Sequence, residues 1–352
     1  MVKLFFIIHI LILSLCAGSK YIPYPSFELK MNNVQEKAFN EGFVQEHTKI
    51  QDLSPMRLDA DNTVNVKETI PWKTKILSNV VAGSVWEFIP YKFEGALRFI
   101  VVMIDTTDWK IQIYEIGTDS YFYHIGTFPR TNSGNMHHYI LDDGTYYFDS
   151  DKLETGYIYK LNSKEKMTAV ETKKENFFTT DRGFSNVLSH DGIFSVEDEW
   201  GLTTSSEIQE SSVEDEPLDL GSIDVEVSYS ENENDYIEDE DPTETDISTH
   251  GLKLTNIKTK EEKILFSYTV IEDENGWYIG HKAFSKDDKN IYFDNAGGFA
   301  CIWRYNFTKH SLEKVVPEHE TYLLKVITYK DKDYVLYYED LKTKGFIKIA
   351  TH

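Results

Sequence analysis

Five short stretches decide how this chain folds: Val102-Met103-Ile104-Asp105, Tyr146-Tyr147-Phe148-Asp149, Phe194-Ser195-Val196-Glu197, Ile291-Tyr292-Phe293-Asp294 and Leu336-Tyr337-Tyr338-Glu339. One and three positions before the acid, every residue is large and apolar or aromatic, while the residue between them varies among Met, Tyr, Ser, Tyr and Tyr. Burial of period two belongs to a β-strand, whose successive side chains point to opposite faces. In four of the five, an aspartate stands six residues before the terminal acid: Asp143, Asp191, Asp288 and Asp333. Asp143-Gly144 and Asp191-Gly192 are tight-turn pairs.

The terminal acids are 44, 48, 97 and 45 residues apart. A fixed period of roughly 45 residues is the length of one four-stranded propeller blade. The long interval contains a polar insertion whose removal restores one period. In the fourth unit the strands read as Trp277 to Ser285, Asn290 to Phe293, Phe299 to Asn306 and Ser311 to Val316, separated by turns rich in Asp, Lys, Gly and Thr. The fifth unit has three strands, Tyr322 to Tyr329, Tyr334 to Glu339 and Gly345 to Ile349, and then the chain stops. An uncovered sheet edge needs a partner, and Ile76 to Val81, just before the first unit, is placed to supply it and so close a ring.

The stretch Phe284-Ser285-Lys286-Asp287-Asp288-Lys289-Asn290-Ile291-Tyr292-Phe293, with Leu188-Ser189-His190-Asp191-Gly192-Ile193-Phe194, resembles the TolB-type and tryptophan-aspartate propeller repeats. There a Ser-Pro-Asp-Gly-like turn joins the first two strands of a blade; here Lys286 replaces the proline and Asp288 the glycine. The resemblance covers a few tens of residues and implies an architecture without an activity. The expected fold is therefore an all-β propeller over residues 74–352, with five blades. Six is the alternative, because residues 24–70 hold strand-like pieces such as Met56-Arg57-Leu58-Asp59.

The second strands of all blades end on one face, so Asp105, Asp149, Glu197, Asp294 and Glu339 are expected around one rim. A ring of carboxylates invites calcium, whose ligands are oxygens. Second strands lie one spacing outside the channel, however, so each acid is expected to accept backbone N–H bonds in its own turn instead. The cluster Asp142, Asp143, Asp149, Ser150, Asp151 and Glu154 lacks the Asp-x-Asp-x-Asp-Gly spacing of a calcium loop. The metal ligands therefore stay unknown and no cofactor is assigned, calcium being the one open option.

The chain has 352 residues and a formal charge of -23. Such a charge argues against nucleic acid, whose phosphates require Lys and Arg. Seventeen of the acids lie between Glu207 and Asp246, and without them the balance is -6. Residues 200–249, with no Lys or Arg between Trp200 and His250, cannot bury enough apolar surface to offset ordering entropy and are expected to be a disordered insertion within the third blade. The stretch Asp235-Tyr236-Ile237-Glu238-Asp239-Glu240-Asp241 resembles tyrosine-sulfation sites, and also the acidic tails with which thrombin inhibitors of blood-feeding animals occupy basic exosites. Tyr229, Tyr236, Glu238, Asp239, Glu240 and Asp241 are the candidate partner-binding residues, and a basic extracellular protein surface is the candidate partner.

At the N-terminus, Lys3, the apolar run Leu4 to Cys16 and Ala17-Gly18-Ser19 read as a signal peptide over residues 1–19, followed by an N-terminal extension over 20–73. A lipid-attachment reading of Leu13-Ser14-Leu15-Cys16 is opposed by bulky Leu15. Thirteen residues, His9 and Ser14 among them, are too few to span a membrane, and no second run of that kind appears later. The expected location is extracellular, as a glycoprotein with Asn306-Phe307-Thr308 as glycan acceptor. Cleavage leaves Cys301, in an apolar stretch, as a buried thiol. His124, His137 and His138 are read as packing or rim residues rather than ligands, since spacing places no third ligand. No phosphate loop, Cys-x-x-Cys, His-Glu-x-x-His or Gly-x-Ser-x-Gly is present, so the reading leans to a binding protein rather than an enzyme; the alternative is a calcium-dependent propeller hydrolase with its site at the channel mouth.

Overall fold

The computed structural model describes residues 29, 31–45, 57–58, 65–67, 72–93, 96–130, 136–141, 143–150, 153–171, 187–199, 247–271, 278–296, 301–316 and 320–352. The N-terminal part holds helix α1 (Asn33–Asn40), three short strands β1 (Val44–Gln45), β2 (Arg57–Leu58) and β3 (Asn65–Lys67), and the longer β4 (Lys73–Val80). The helix starts on a capping box: the Asn32 side chain accepts from the Val34 and Gln35 amides, and the Gln35 side chain accepts from the Asn32 amide.

Five antiparallel sheets follow in chain order. The first is β5 (Gly83–Phe93), β6 (Ala96–Asp105), β7 (Lys110–Gly117) and β8 (Phe122–Pro129); the second is β9 (Met136–Ile140), β10 (Thr145–Ser150), β11 (Gly156–Lys160) and β12 (Thr168–Val170). The third is β13 (Val187–Leu188), β14 (Phe194–Glu199), β15 (Ile247–Asn256) and β16 (Glu262–Ile271); the fourth is β17 (Tyr278–Phe284), β18 (Asn290–Ala296), β19 (Ile302–Asn306) and β20 (Ser311–Val316). The fifth has β21 (Thr321–Tyr329), β22 (Lys332–Asp340) and β23 (Gly345–Thr351), and its fourth strand is β4, paired antiparallel from Gly345↔Val80 to Thr351↔Lys73. The edge missing from the last unit is thus covered by the segment that the sequence singles out.

Apolar cores join successive sheets. Leu97, Phe99 and Val101 of the first meet Leu336, Tyr338 and Ile347 of the fifth. Ile100 and Val102 meet Tyr146 and Phe148 of the second. Val196, Leu252 and Phe266 of the third meet Ile291 and Phe293 of the fourth, whose Tyr292 and Ile302 turn to Val335 and Tyr337 of the fifth. The result is an all-β, propeller-like arrangement. In the first, second, fourth and fifth sheets the second strand buries side chains on both faces, whereas β14 of the third buries only Ser195 and Val196. The position between the two apolar landmarks, which reads as variable in sequence, is as buried as its neighbours: Met103, Tyr147, Tyr292 and Tyr337 are at most 1% exposed.

Between the first and second sheets the join is also polar. Glu115, fully buried, accepts hydrogen bonds from the Tyr91, Tyr121 (3.1 Å) and Tyr159 (2.7 Å) hydroxyls and from the Asn162 amide (2.9 Å). A buried carboxylate without such donors would be costly. Burial and this carboxylate together hold the Tyr159 hydroxyl far above its ordinary value and push Tyr121 up to about 12.

The described strands between residues 44 and 67 add to the outer edges of the sheets. β1 pairs with β4, β2 with β16 and β3, in parallel, with β20, so the fifth, third and fourth sheets each acquire a fifth strand. The piece weighed as a sixth blade, Arg57–Leu58, lies on the edge of the third sheet. Helix α1 docks through fully buried Phe39, edge-on to Tyr329 and Tyr334, and Lys75 donates to the Ala38 and Phe39 carbonyls at its C-terminal end.

Candidate functional site

The turns between first and second strands explain the repeat. In the third sheet the Ser189 hydroxyl donates to Asp191 (2.7 Å) and accepts from the Phe194 amide; in the fourth Ser285 donates to Asp287 (2.8 Å) and accepts from the Asn290 amide. Gly192 (φ 67) and Asp288 (φ 55) hold the left-handed position of the two turns. Asp287, not Asp288, is therefore the counterpart of Asp191, and the six-residue landmark of the fourth unit is displaced by one. Asp288 stands where glycine would serve better sterically, but its carboxylate accepts from the His190 amide (2.9 Å), the His190 Nδ1 (3.0 Å) and the Asp191 amide (3.2 Å), tying the fourth sheet to the third.

The same register moves the rim. Asp198, four residues after Phe194, occupies the place of Asp294, four after Asn290; Glu197 does not. In the first sheet the Thr118 amide donates to Leu97, as Phe307 does to Lys289, which puts Val102 at that place and Asp105 three residues farther out. The five acids do not form one equivalent ring, and each has protein donors. Asp294, fully buried, accepts from the His281 amide and Nδ1 (both 2.8 Å) and from the Leu323 amide of the next sheet (2.6 Å). Asp149 accepts from Tyr147 and the Ser150 amide, Asp105 from the Thr107 amide, Asp198 from Tyr268, and Glu339 pairs with Lys348 at 2.8 Å. Among the described residues no three His, Cys, Asp or Glu side chains stand together as a metal site; Asp142 and Asp151 lie outside them.

The acidic segment leaves the third sheet after Glu199 and rejoins it at Ile247. Tyr229, Tyr236, Glu238, Asp239, Glu240 and Asp241 lie outside the described residues; their root does not. β14 and β15 stay paired up to Glu199↔Gly251, and Lys253 bridges Glu197 (3.1 Å), Glu199 (2.5 Å) and Glu262 (3.7 Å). These carboxylates raise the Lys253 ammonium above its ordinary value, so it stays charged. Behind it His250, 2% exposed, packs against Tyr268 and Tyr278, and burial lowers its pKa and keeps it neutral. Both ends of the insertion are thereby anchored at one place on the sheet, beside the end of a second strand.

His138, 1% exposed, lies beside Tyr146 and Phe148, and His124 hydrogen-bonds Gln112 (2.8 Å) against Tyr114. His138 packs inside the second sheet, whereas His124 is exposed on the outer strand β8. Cys301 is a buried free thiol. Asn306 ends β19, part-exposed, with its amide nitrogen donating to Asn290 (2.7 Å). Sequence reasoning misses the polar side chains of the first strands: Glu87, 3.9 Å from His138 Nε2, Lys282 and Lys325. It also misses an open cleft of about 930 Å³ on the first sheet, where Trp109 and Arg130, 21 residues apart in sequence, meet.

No family model matches the chain, and no curated protein does. Solved structures with a likeness are β-propeller-like proteins. An oligogalacturonate lyase from Vibrio parahaemolyticus is 13% identical with a TM-score of 0.27, over 88% of this chain and 70% of that one. A chain of a nidogen/laminin complex is 11% identical with a TM-score of 0.22, over 68% of this chain and 70% of its own. Likeness at this level assigns no activity, and the description of the fold rests on the strand order above.

Proposed function

We propose that this is a secreted, five-bladed propeller that works as a binding protein, with the acidic insertion of its third blade engaging a basic surface on an extracellular partner. The observation that carries the reading is the pinned root: Lys253 fastens the two strands from which the insertion departs, while the insertion itself holds seventeen acids and no Lys or Arg. Lys253 offsets one of the three carboxylate charges it bridges at the root, and the seventeen acids of the segment beyond add to the rest. Concentrated charge of one sign steers a partner of the other sign and raises the rate of encounter. Tyr229, Tyr236, Glu238, Asp239, Glu240 and Asp241 are the contact residues in this reading, the tyrosines as sulfation acceptors, with a glycan on Asn306. Five sheets, the N-terminal strand on the last of them and the four inter-sheet cores support the blade number.

Deleting residues 205–246 keeps β15 whole, because that strand begins at Ile247. The intact chain should capture a partner from extracellular fluid in a complex that weakens as salt rises from 50 to 300 mM, roughly as screening lengths shorten. The deleted chain, with unchanged thermal stability, should lose that capture. Equal capture and equal salt dependence in both chains would end the proposal.

A further inference from the structure

Three of the five sheets carry a fifth strand from the N-terminal segment, whereas among the described residues the first and second sheets end on β8 and β12. β12 has three residues and is a poor template; β8 has eight, Phe122-Tyr123-His124-Ile125-Gly126-Thr127-Phe128-Pro129, without Lys, Arg, Asp or Glu. A long outer strand without charges is the kind of edge to which another strand adds. At its end lies the cleft lined by Asp108, Trp109, Lys110, Thr127, Pro129 and Arg130.

Two side chains there are unlike the rest of the surface. Trp109 is 57% exposed and holds the left-handed position of its hairpin (φ 55). Two other hairpins open with the same Asp or Asn side chain bonded to a following amide, Asn256 and Asn306, and four residues on they place Lys260 (φ 62) and His310 (φ 43). The turn therefore does not call for an indole, and an exposed indole is the kind of side chain that anchors an interface. Arg130 lies with its guanidinium 4.6 Å from the Trp109 ring centre. Lys110 is neutralised by Asp108, but among the described residues no carboxylate pairs with Arg130.

We infer that the β8 edge is a docking site for an acidic extended peptide of a partner protein, which adds as a fifth strand and places a carboxylate on Arg130 beside the Trp109 ring. The open edge supplies backbone donors and acceptors, Arg130 supplies a fork for a carboxylate, and Trp109 supplies apolar area. A sulfated glycan would use Arg130 and Trp109 but has no use for a strand edge, so the edge favours a peptide.

The probe is a fluorescent synthetic peptide with the sequence of residues 231–241, measured by anisotropy against the full chain and against the chain lacking 205–246, in which the chain's own acidic segment cannot compete. Binding to either chain is expected, weakened at least about tenfold by Trp109→Ala and by Arg130→Glu. Both residues are surface-exposed or part-exposed, so unfolding temperatures should not move. A peptide N-methylated at alternate backbone positions should lose binding. The inference is overturned if the peptide binds neither chain, if it binds both variants as before, if N-methylation has no effect, or if a heparin fragment binds in its place with the same sensitivity to the two variants.

Discussion

Asp288 shows how a single residue departs from a repeat for a reason. Its left-handed backbone costs strain that glycine would avoid, and its carboxylate returns three hydrogen bonds to the neighbouring turn. Asp288→Gly should lower unfolding stability by about 1 kcal/mol, since loss of the bonds outweighs the relieved strain. Chemical denaturation checks it, and a stability increase would show the clamp to be idle. Lys325 offers a pH test. It lies on the first strand of the fifth sheet, and burial lowers its ammonium from 10.5 to about 7. Between those values the unfolded chain binds a proton that the folded one does not, so stability rises with pH from about 7 towards 10. Buried tyrosines such as Tyr268 and Tyr338 have raised pKa values, which makes stability fall again above 10. Lys325→Met should flatten the rise below pH 10 and leave the fall above it, measured as the unfolding free energy at successive pH values.

At the scale of elements, the strands were legible because aromatic and branched residues alternate with period two, and because Asp-Gly and Ser-x-Asp turns punctuate them. Register was legible only in part: in the first unit the lone Asp105 stands three residues beyond the equivalent place. In the third unit Glu197-Asp198-Glu199 are consecutive, and in the fourth Asp287-Asp288 are adjacent, so counting from sequence cannot choose among them; the Ser189 and Ser285 hydroxyls do so in three dimensions. Strands of two or three residues such as β1, β2 and β3 have no period, and their pairing depends on sheets far along the chain. Trp109 and Arg130 carry no linear pattern either. The closing strand β4 is a direct case for mutation. Leu77, 6% exposed, faces the core between the fifth and first sheets, while Ile76 is 51% exposed. Leu77→Ala should cost about 2–4 kcal/mol and Ile76→Ala less than about 0.5, read from denaturant midpoints.

For the whole molecule, the charge of -23 divides into a mildly acidic body and one segment with seventeen acids, anchored at Lys253. The N-terminal strands hold the outer edges of three sheets; among the described residues the first and second sheets end on β8 and β12, and the longer β8, with Trp109 and Arg130 at its end, is the edge inferred to take another chain. The joining of the N-terminal part to the last sheet rests on the N-terminal strand lying beside the C-terminal one. The most direct measurement is an engineered cross-link between the paired positions Lys73 and Thr351, both changed to cysteine in a chain beginning at residue 20. Under mild oxidation the folded protein should form an intramolecular disulfide that joins the chain ends, visible as faster migration on a non-reducing denaturing gel and reversed by reductant. Failure of the folded variant to cross-link, or cross-linking only between molecules, would contradict the pairing of β4 with β23 on which the proposed ring closure rests.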